Sequence, residues 1–357
     1  MDFLTRLWNY IKVKFSGEEK TAPPKKTTTT AKQPIFNYNK NTANPNEIPM
    51  MREISDEQIQ ANNTREKYIT TIKNPNYKVK NGDNPDKIAA KFGVETNSLL
   101  ALNGLDKNSA KKIKAGQILK IPPTRKIKNV NNLNDIAKSM GVSLEFIKKL
   151  KKIEDSSNLP ETKFHNTPYK DKAGVLTIGI GHVLKKGDPR ELSNQQVCEL
   201  CAKDLLRMEE NLKVLLGGQK NYDRLPQSMK EALLDMTFNK GTAIIEKTPG
   251  LLYCLRSGKY EAAINKFTDN KSTTTKQEMA GLSKRRLFDI SLATKMYGDK
   301  IPQSNINTAQ QVYNRGVELL KAECKKESKN YQSQLAGFNQ EIQNYFGNRL
   351  NLKLITR

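Results

Sequence analysis

Residues 169–182 read YKDKAGVLTIGIGH, from Tyr169 to His182. The segment Thr177 to His182 alternates small and apolar residues, the texture of a short hairpin strand, and its glycines let a flat ligand approach the backbone closely. Upstream, Phe146, Ile147, Leu150 and Ile153 recur at helical spacing, and Glu154 ends that stripe. One carboxylate on a helix end and another, Asp171, beside a hairpin are placed to flank a cleft. Hydrolysis of a glycosidic bond calls for such a pair: one carboxyl donates a proton and the second works from the opposite face.

Further motifs follow downstream. They are Leu192-Ser-Asn-Gln-Gln-Val with Asp204-Leu-Leu, the run from Tyr222 to Leu233, Phe238-Asn-x-Gly241, the run from Leu251 to Ala263, and Gly281-Leu-Ser-Lys-Arg-Arg286. Together with Tyr-x-Asp and TIGIGH, they resemble glycoside hydrolase family 24, the phage-type lysozymes, over about residues 132–298. The resemblance implies a two-lobed, mainly helical α+β domain. It also implies endolytic hydrolysis of the β-1,4 bond between N-acetylmuramic acid and N-acetylglucosamine in bacterial peptidoglycan, with inversion and without a cofactor or metal. Carried over by position, it makes Glu154 the general acid, Asp171 the second carboxylate and Thr177 a holder of the attacking water. Gly179 and Asn239 would line the bound sugar, and Arg285 and Arg286 would tie the closing helix to the lobe. A general acid must keep its proton near neutrality, which a partly desolvated place at the end of an apolar stripe favours.

One departure bears on the site. The family spaces its Glu and Asp by nine residues and follows the Glu with Gly. Here Glu154 lies seventeen residues before Asp171 and is followed by Asp155. Ser156 to Thr167 read as an inserted loop, and Glu161, ten residues before Asp171, competes for the acid role. Glu154 is preferred because it terminates the helical stripe, whereas Glu161 follows Pro160 in loop. If the loop displaces the acid, the alternative is a non-catalytic peptidoglycan-binding structural virion protein. His182 has no Ser or Cys nucleophile motif beside it and reads as a hydrogen-bonded structural histidine.

A separate texture occupies residues 77–122. A strand starts at Tyr77, Asn81-Gly82-Asp83 turns, Pro85 opens a helix that Gly93 stops, a second helix carries Leu99, Leu100 and Leu102, and Gly116 to Pro122 closes as a strand. The order is β-α-α-β. Tyr-x-Val-x-x-Gly-Asp, Ile-Ala-x-x-Phe-Gly-Val, Leu-x-x-Leu-Asn-Gly-Leu and Gly-Gln-x-Leu-x-Ile-Pro resemble the LysM module throughout. That resemblance implies binding of N-acetylglucosamine-containing glycans between two loops, Gly82 to Pro85 and Ile113 to Gly116, with Gly82, Asp83, Ile113 and Gly116 as contacts. By their own chemistry these are turn residues. Residues 134–142 repeat the texture of 86–94, but no closing strand follows, so they read as a helical lead-in to the next domain.

The organisation expected is therefore an amphipathic helix over 1–20 and a linker over 21–74 that holds a weak polar helix from Asp56 to Thr71. A LysM domain at 75–123, a lysozyme domain at 129–300 and a C-terminal tail at 301–357 with a helix from Thr308 to Tyr331 follow. Leu4, Leu7, Trp8 and Ile11 share one face of the first segment, which leaves open a membrane surface, a partner protein or a frayed terminus. Charges within its apolar part and the absence of a small-residue cleavage site argue against a cleaved signal peptide. The Thr-, Pro- and Lys-rich stretch after it reads as a flexible arm. No run reaches the ~20 apolar residues of a membrane span. A net charge of +24 over 357 residues favours polyanionic partners. Nucleic acid is disfavoured, for no aromatic-basic interleaving accompanies the charge. Cys198 and Cys201 lie in a helical stretch without a second pair, so the four cysteines read as plain thiols rather than a zinc site. The placement expected is a phage virion or the host cytoplasm before release to the wall, with other virion proteins as partners of the two ends.

Overall fold

The computed structural model describes residues 63–350 and 352–356, apart from 107–108, 156–158, 172–173 and 273–275. The helix expected over 1–20 and most of the linker behind it lie outside the described residues. The weak helix expected over 56–71 is corrected at its C-terminal end. Residues 63–66 are helical, but β1 (Ile69–Ile72) follows at once. Its sequence, ITTI, is β-branched throughout and pairs antiparallel with β4 (Thr124–Ile127).

That pairing is a two-stranded sheet of its own, next to the sheet of the small domain. Inside that domain, β2 (Tyr77–Lys78) pairs with β3 (Ile118–Leu119). From Ile72–Thr124 to Tyr77–Leu119 one chain advances five residues and the other goes back five, so the two pairings share one register. The chain thus enters and leaves the module along a single interrupted ribbon. Between the strands lie α1 (Pro85–Phe92), α2 (Thr96–Leu102) and a 3-10 turn at Ser109–Lys112. Tyr77, Val79, Ile88, Leu99, Leu119 and Ile121 bury a core of their own. The β-α-α-β order read from the sequence is the order found.

The echo at 134–142 has a structural counterpart. Asn84 caps α1 by accepting from Lys87 N at 2.8 Å, and Asn132 caps α3 (Leu133–Met140) by accepting from Asp135 N at 3.0 Å. Gly93 and Gly141 then end these helices in the left-handed conformation, φ +62° and +63°. Next in each case comes another helix: α2 in the module, α4 (Leu144–Glu154) here. The α4 N-terminus is fixed twice, by Ser143 capping Phe146 N and by buried Glu231 accepting from Ser143 N at 2.7 Å. Its far end carries Glu154.

A three-stranded antiparallel sheet follows, with β6 (Leu176–Ile178) between β5 (Tyr169–Lys170) and β7 (His182–Val183). Beyond it, α5 (Asn194–Leu216) starts in a capping box built by Ser193 and Gln196. Short α6 (Gln219–Asp223) leads to α7 (Gln227–Lys240), buried continuously from Glu231 to Thr237. A helix buried on this many sides belongs to the core, and its two buried carboxylates, Glu231 and Asp235, are satisfied by hydrogen bonds. Around it run α8 (Ala243–Glu246), α9 (Leu251–Arg256), α10 (Tyr260–Ile264) and α11 (Ala280–Ala293). All four cysteines are buried and unlinked.

The C-terminal segment forms two helices rather than one over 308–331: α12 (Gln303–Lys326) and α13 (Tyr331–Phe346). The core that begins at Val130 runs on through Tyr313, Phe338 and Leu350, so these helices complete it. Gly316 allows the approach; a Cβ there would stand 2.9 Å from the Phe338 ring and 3.0 Å from Ser283.

Candidate active site

Glu154 is the last residue of α4, and its side chain is 20% exposed. Its Oε1 lies 2.6 Å from Nη1 of Arg285 on α11. Arg285 is itself buried and forks onto Asp235 of α7, with Nε donating to Oδ2 at 2.6 Å and Nη2 to Oδ1 at 2.8 Å. Burial alone would lower the Arg285 pKa, but Asp235 and Glu154 outweigh it and hold the guanidinium firmly charged. The carboxyl is also enclosed from the hairpin side. A Cβ placed on Gly181 would stand 2.8 Å from Glu154 Oε2.

Asp171 follows β5, half-exposed. It closes the turn to β6: its Oδ1 accepts from Val175 N at 2.8 Å, and its own N donates to Val175 O at 3.0 Å. Thr177 stands opposite Tyr169 across the sheet and is buried, with Oγ1 donating to Val175 O at 3.0 Å. Tyr169 joins the two sides of the site, for its hydroxyl donates to the Glu154 carbonyl at 3.3 Å. Burial pushes the Tyr169 phenol up to about 12, and the charges of Glu154, Asp155 and Asp171 push the same way. The phenol therefore stays a donor, within electrostatic reach of both carboxylates.

Glu161 is elsewhere. It lies exposed in a turn, with Oε2 2.8 Å from Lys148 Nζ on the outer side of α4. Gly179, expected to line the sugar, is packed inside the fold. It is buried, its N–H donates to His165 O at 2.8 Å, and a Cβ on it would meet Val197 of α5 at 3.1 Å. This glycine serves a turn with φ +64° and close packing. Asn239 is half-buried, and its Oδ1 accepts from Arg286 Nη2 at 3.3 Å, so the side-chain oxygen already has a structural use. His182 is held between two carboxylates, with Nδ1 2.7 Å from Asp204 Oδ2 and Nε2 3.3 Å from Asp188 Oδ2. Missed from the sequence were Asp235, which aims Arg285, and His165, which stacks on Tyr169.

In the small domain the two loops lie side by side. Val79 N donates to Gln117 O and Gly116 N to Val79 O, each at 2.8 Å. Gly82 and Gly116 take φ +80° and +87°, and nothing would meet a Cβ on either, so turn geometry alone requires glycine there. Asp83 locks its loop through Oδ2, which accepts from Tyr77 Oη at 2.9 Å and Lys80 N at 2.8 Å. These bonds hold its carboxyl below the usual carboxylate range. Ile113 packs partly on the module core.

A family model described as phage lysozyme matches residues 161–288, and one described as the LysM domain matches residues 77–122. Asp171 and Thr177 fall inside the first match and Glu154 just ahead of it. No curated protein matches the chain. Among solved structures, the active form of the P1 phage endolysin Lyz is 15% identical at TM-score 0.38, with 48% of this chain and 99% of that one covered. The muramidase domain of SpmX from Asticaccaulis excentricus is 20% identical at TM-score 0.32, covering 43% and 96%. A P22 lysozyme variant is 24% identical at TM-score 0.30, covering 41% and 92%.

Proposed function

We propose that this chain, in which a phage-lysozyme model matches behind a LysM model, is a lysozyme that cuts the β-1,4 bond between N-acetylmuramic acid and N-acetylglucosamine inside peptidoglycan strands. Glu154 donates the proton to the leaving glycosidic oxygen. Asp171 and Thr177 direct a water to the opposite face of the anomeric carbon, which inverts. The carrying observation is the enclosure of Glu154 at the end of α4, wedged under Gly181 and 20% exposed. Arg285 neutralises the carboxylate that remains once the proton has moved, and its own fork onto Asp235 fixes the direction. Glu161, paired with Lys148 in solvent, has no comparable surroundings.

The small domain holds N-acetylglucosamine units of the wall between the loops at Gly82 to Pro85 and Ile113 to Gly116. The setting is a phage endolysin or a virion-associated lysozyme, whose terminal segments contact other virion proteins. The test uses purified sacculi and mass spectrometry of the released muropeptides. Glu154→Gln loses activity by ~10²–10⁴-fold, the share of general acid catalysis, Glu161→Gln keeps it, and Asp171→Asn is severely impaired. Products carry reducing muramic ends. Activity in Glu154→Gln, or 1,6-anhydro ends as the main product, would overturn this mechanism.

A further inference from the structure

Resting on the assignment of Glu154 and Asp171 as the catalytic pair, we propose that His165 is a positioning residue that clamps both, through Asp155 on one side and Tyr169 on the other. His165 belongs to the loop that separates Glu154 from Asp171 more widely than the lysozyme pattern does. Its side chain is 16% exposed and its Nε2 stands 3.0 Å from Asp155 Oδ1. The other Asp155 oxygen takes Leu159 N at 2.9 Å and Lys151 Nζ at 3.3 Å. An ionised carboxylate only accepts, so Nε2 carries the hydrogen of that bond.

The imidazole lies flat on the Tyr169 ring, with centroids 3.9 Å apart and planes 26° apart. Tyr169 in turn donates to the Glu154 carbonyl, one of the last carbonyls of α4 and without a partner inside the helix. Two residues on, the same strand delivers Asp171. The His165 carbonyl meanwhile receives Gly179 N at 2.8 Å and anchors the turn that leads to Gly181. Helix end, Asp171 strand and glycine turn therefore converge on one loop residue. A displacement near 1 Å at such a site costs on the order of 10²-fold in rate. A clamp of this kind acts on kcat, because it aims groups used in the chemical step and touches no sugar.

The test measures kcat and KM of the full chain on soluble glycan strands. His165→Ala should lower kcat at least tenfold with KM within twofold. His165→Phe keeps the stack, loses the Asp155 bond and should recover part of the rate. Tyr169→Phe should lower kcat as well, and its combination with His165→Ala should cost less than the product of the two single effects, since both act through one contact. Should His165→Ala not fold, His165→Phe and Tyr169→Phe carry the same comparison. Wild-type kcat in His165→Ala, a change confined to KM, or multiplicative effects would overturn the clamp. Glu154→Gln is measured alongside: if it stays active, the catalytic assignment itself falls. If it is inactive while His165→Ala runs at full rate, only the clamp falls.

Discussion

At Gly181 two requirements meet that no other residue type satisfies. The backbone takes φ +69°, and a Cβ would lie 2.8 Å from Glu154 Oε2 and 3.1 Å from its Cγ and Cδ. Glu154 cannot swing aside without leaving Arg285, which is committed to Asp235. Gly181→Ala is therefore expected to lower kcat at least tenfold by moving the Glu154 carboxyl, the proposed acid. Gly187→Ala provides the control: φ is +97° and nothing lies near its Cβ, so it costs ~1–2 kcal/mol of backbone strain and leaves kcat unchanged. Equal kcat losses in the two variants would mean that strain, not contact with Glu154, governs the effect. The sequence exposed Glu154 through the helical stripe that it ends and Asp171 through the motif beside the hairpin. It did not show which glycine faces Glu154, because Gly179 and Gly181 have the same local texture and differ only in what packs on them. Nor did it show the Arg285–Asp235 fork. Glu154 and Arg285 are 131 residues apart, and no periodicity links positions so distant.

Elements whose ends are written in caps were legible. Gly93, read as a helix stop, is found as one, and Asn84, Asn132, Ser193 and Gly141 mark their boundaries by capping as well, though the sequence alone did not single them out. The strand at Ile69–Ile72 was misread as helix because its partner, Thr124–Ile127, lies across the whole module and only the pairing settles a short polar segment. Contacts between elements were legible only as residue types. His182 is such a contact, joining β7 to Asp204 of α5 at 2.7 Å. The hydrogen bond to Asp204 raises its pKa more than burial lowers it, and Asp188 adds to the rise. A group whose pKa is higher folded than unfolded, ~6.5 for free histidine, stabilises in full below the unfolded value. That contribution fades as pH climbs through the folded one. His182→Asn should accordingly shift the urea midpoint most near pH 5 and least near pH 9. A shift of the same size at both pH values would contradict a charged His182–Asp204 bond.

On the scale of the molecule, the wall-binding module does not hang from a free tether. Its entry and exit strands form one ribbon, and residues on either side of it are fastened to the lysozyme domain. Arg65 reaches Glu209 of α5 at 2.7 Å, Arg125 reaches Glu210 at 2.7 Å, and Tyr68 Oη donates to Asp135 at 3.0 Å. Glu209 is completely buried. Burial would raise its pKa, yet Arg65 and Lys213 overcome that and hold it at about 2. A carboxyl depressed on folding stabilises above its unfolded value, ~4.3, and loses that contribution as pH falls through about 2. A truncation starting at residue 129 removes Arg65 and Arg125 together with the module and leaves Glu209 with Lys213 as its remaining charged partner. A buried charge left without any partner costs ~3–5 kcal/mol; Lys213 still pairs with Glu209, so the loss is smaller than that, and the truncated chain should melt below the full chain at pH 7. Arg65→Met in the full chain should reproduce much of that loss, and the penalty should shrink as Glu209 is protonated near pH 2. An unchanged melting temperature in both proteins would show that the ribbon and its ion pairs are not part of the folded unit. Loss of lysis on deleting the module would then report wall binding alone; with the drop, wall binding must be separated from folding by point changes in the glycan loops.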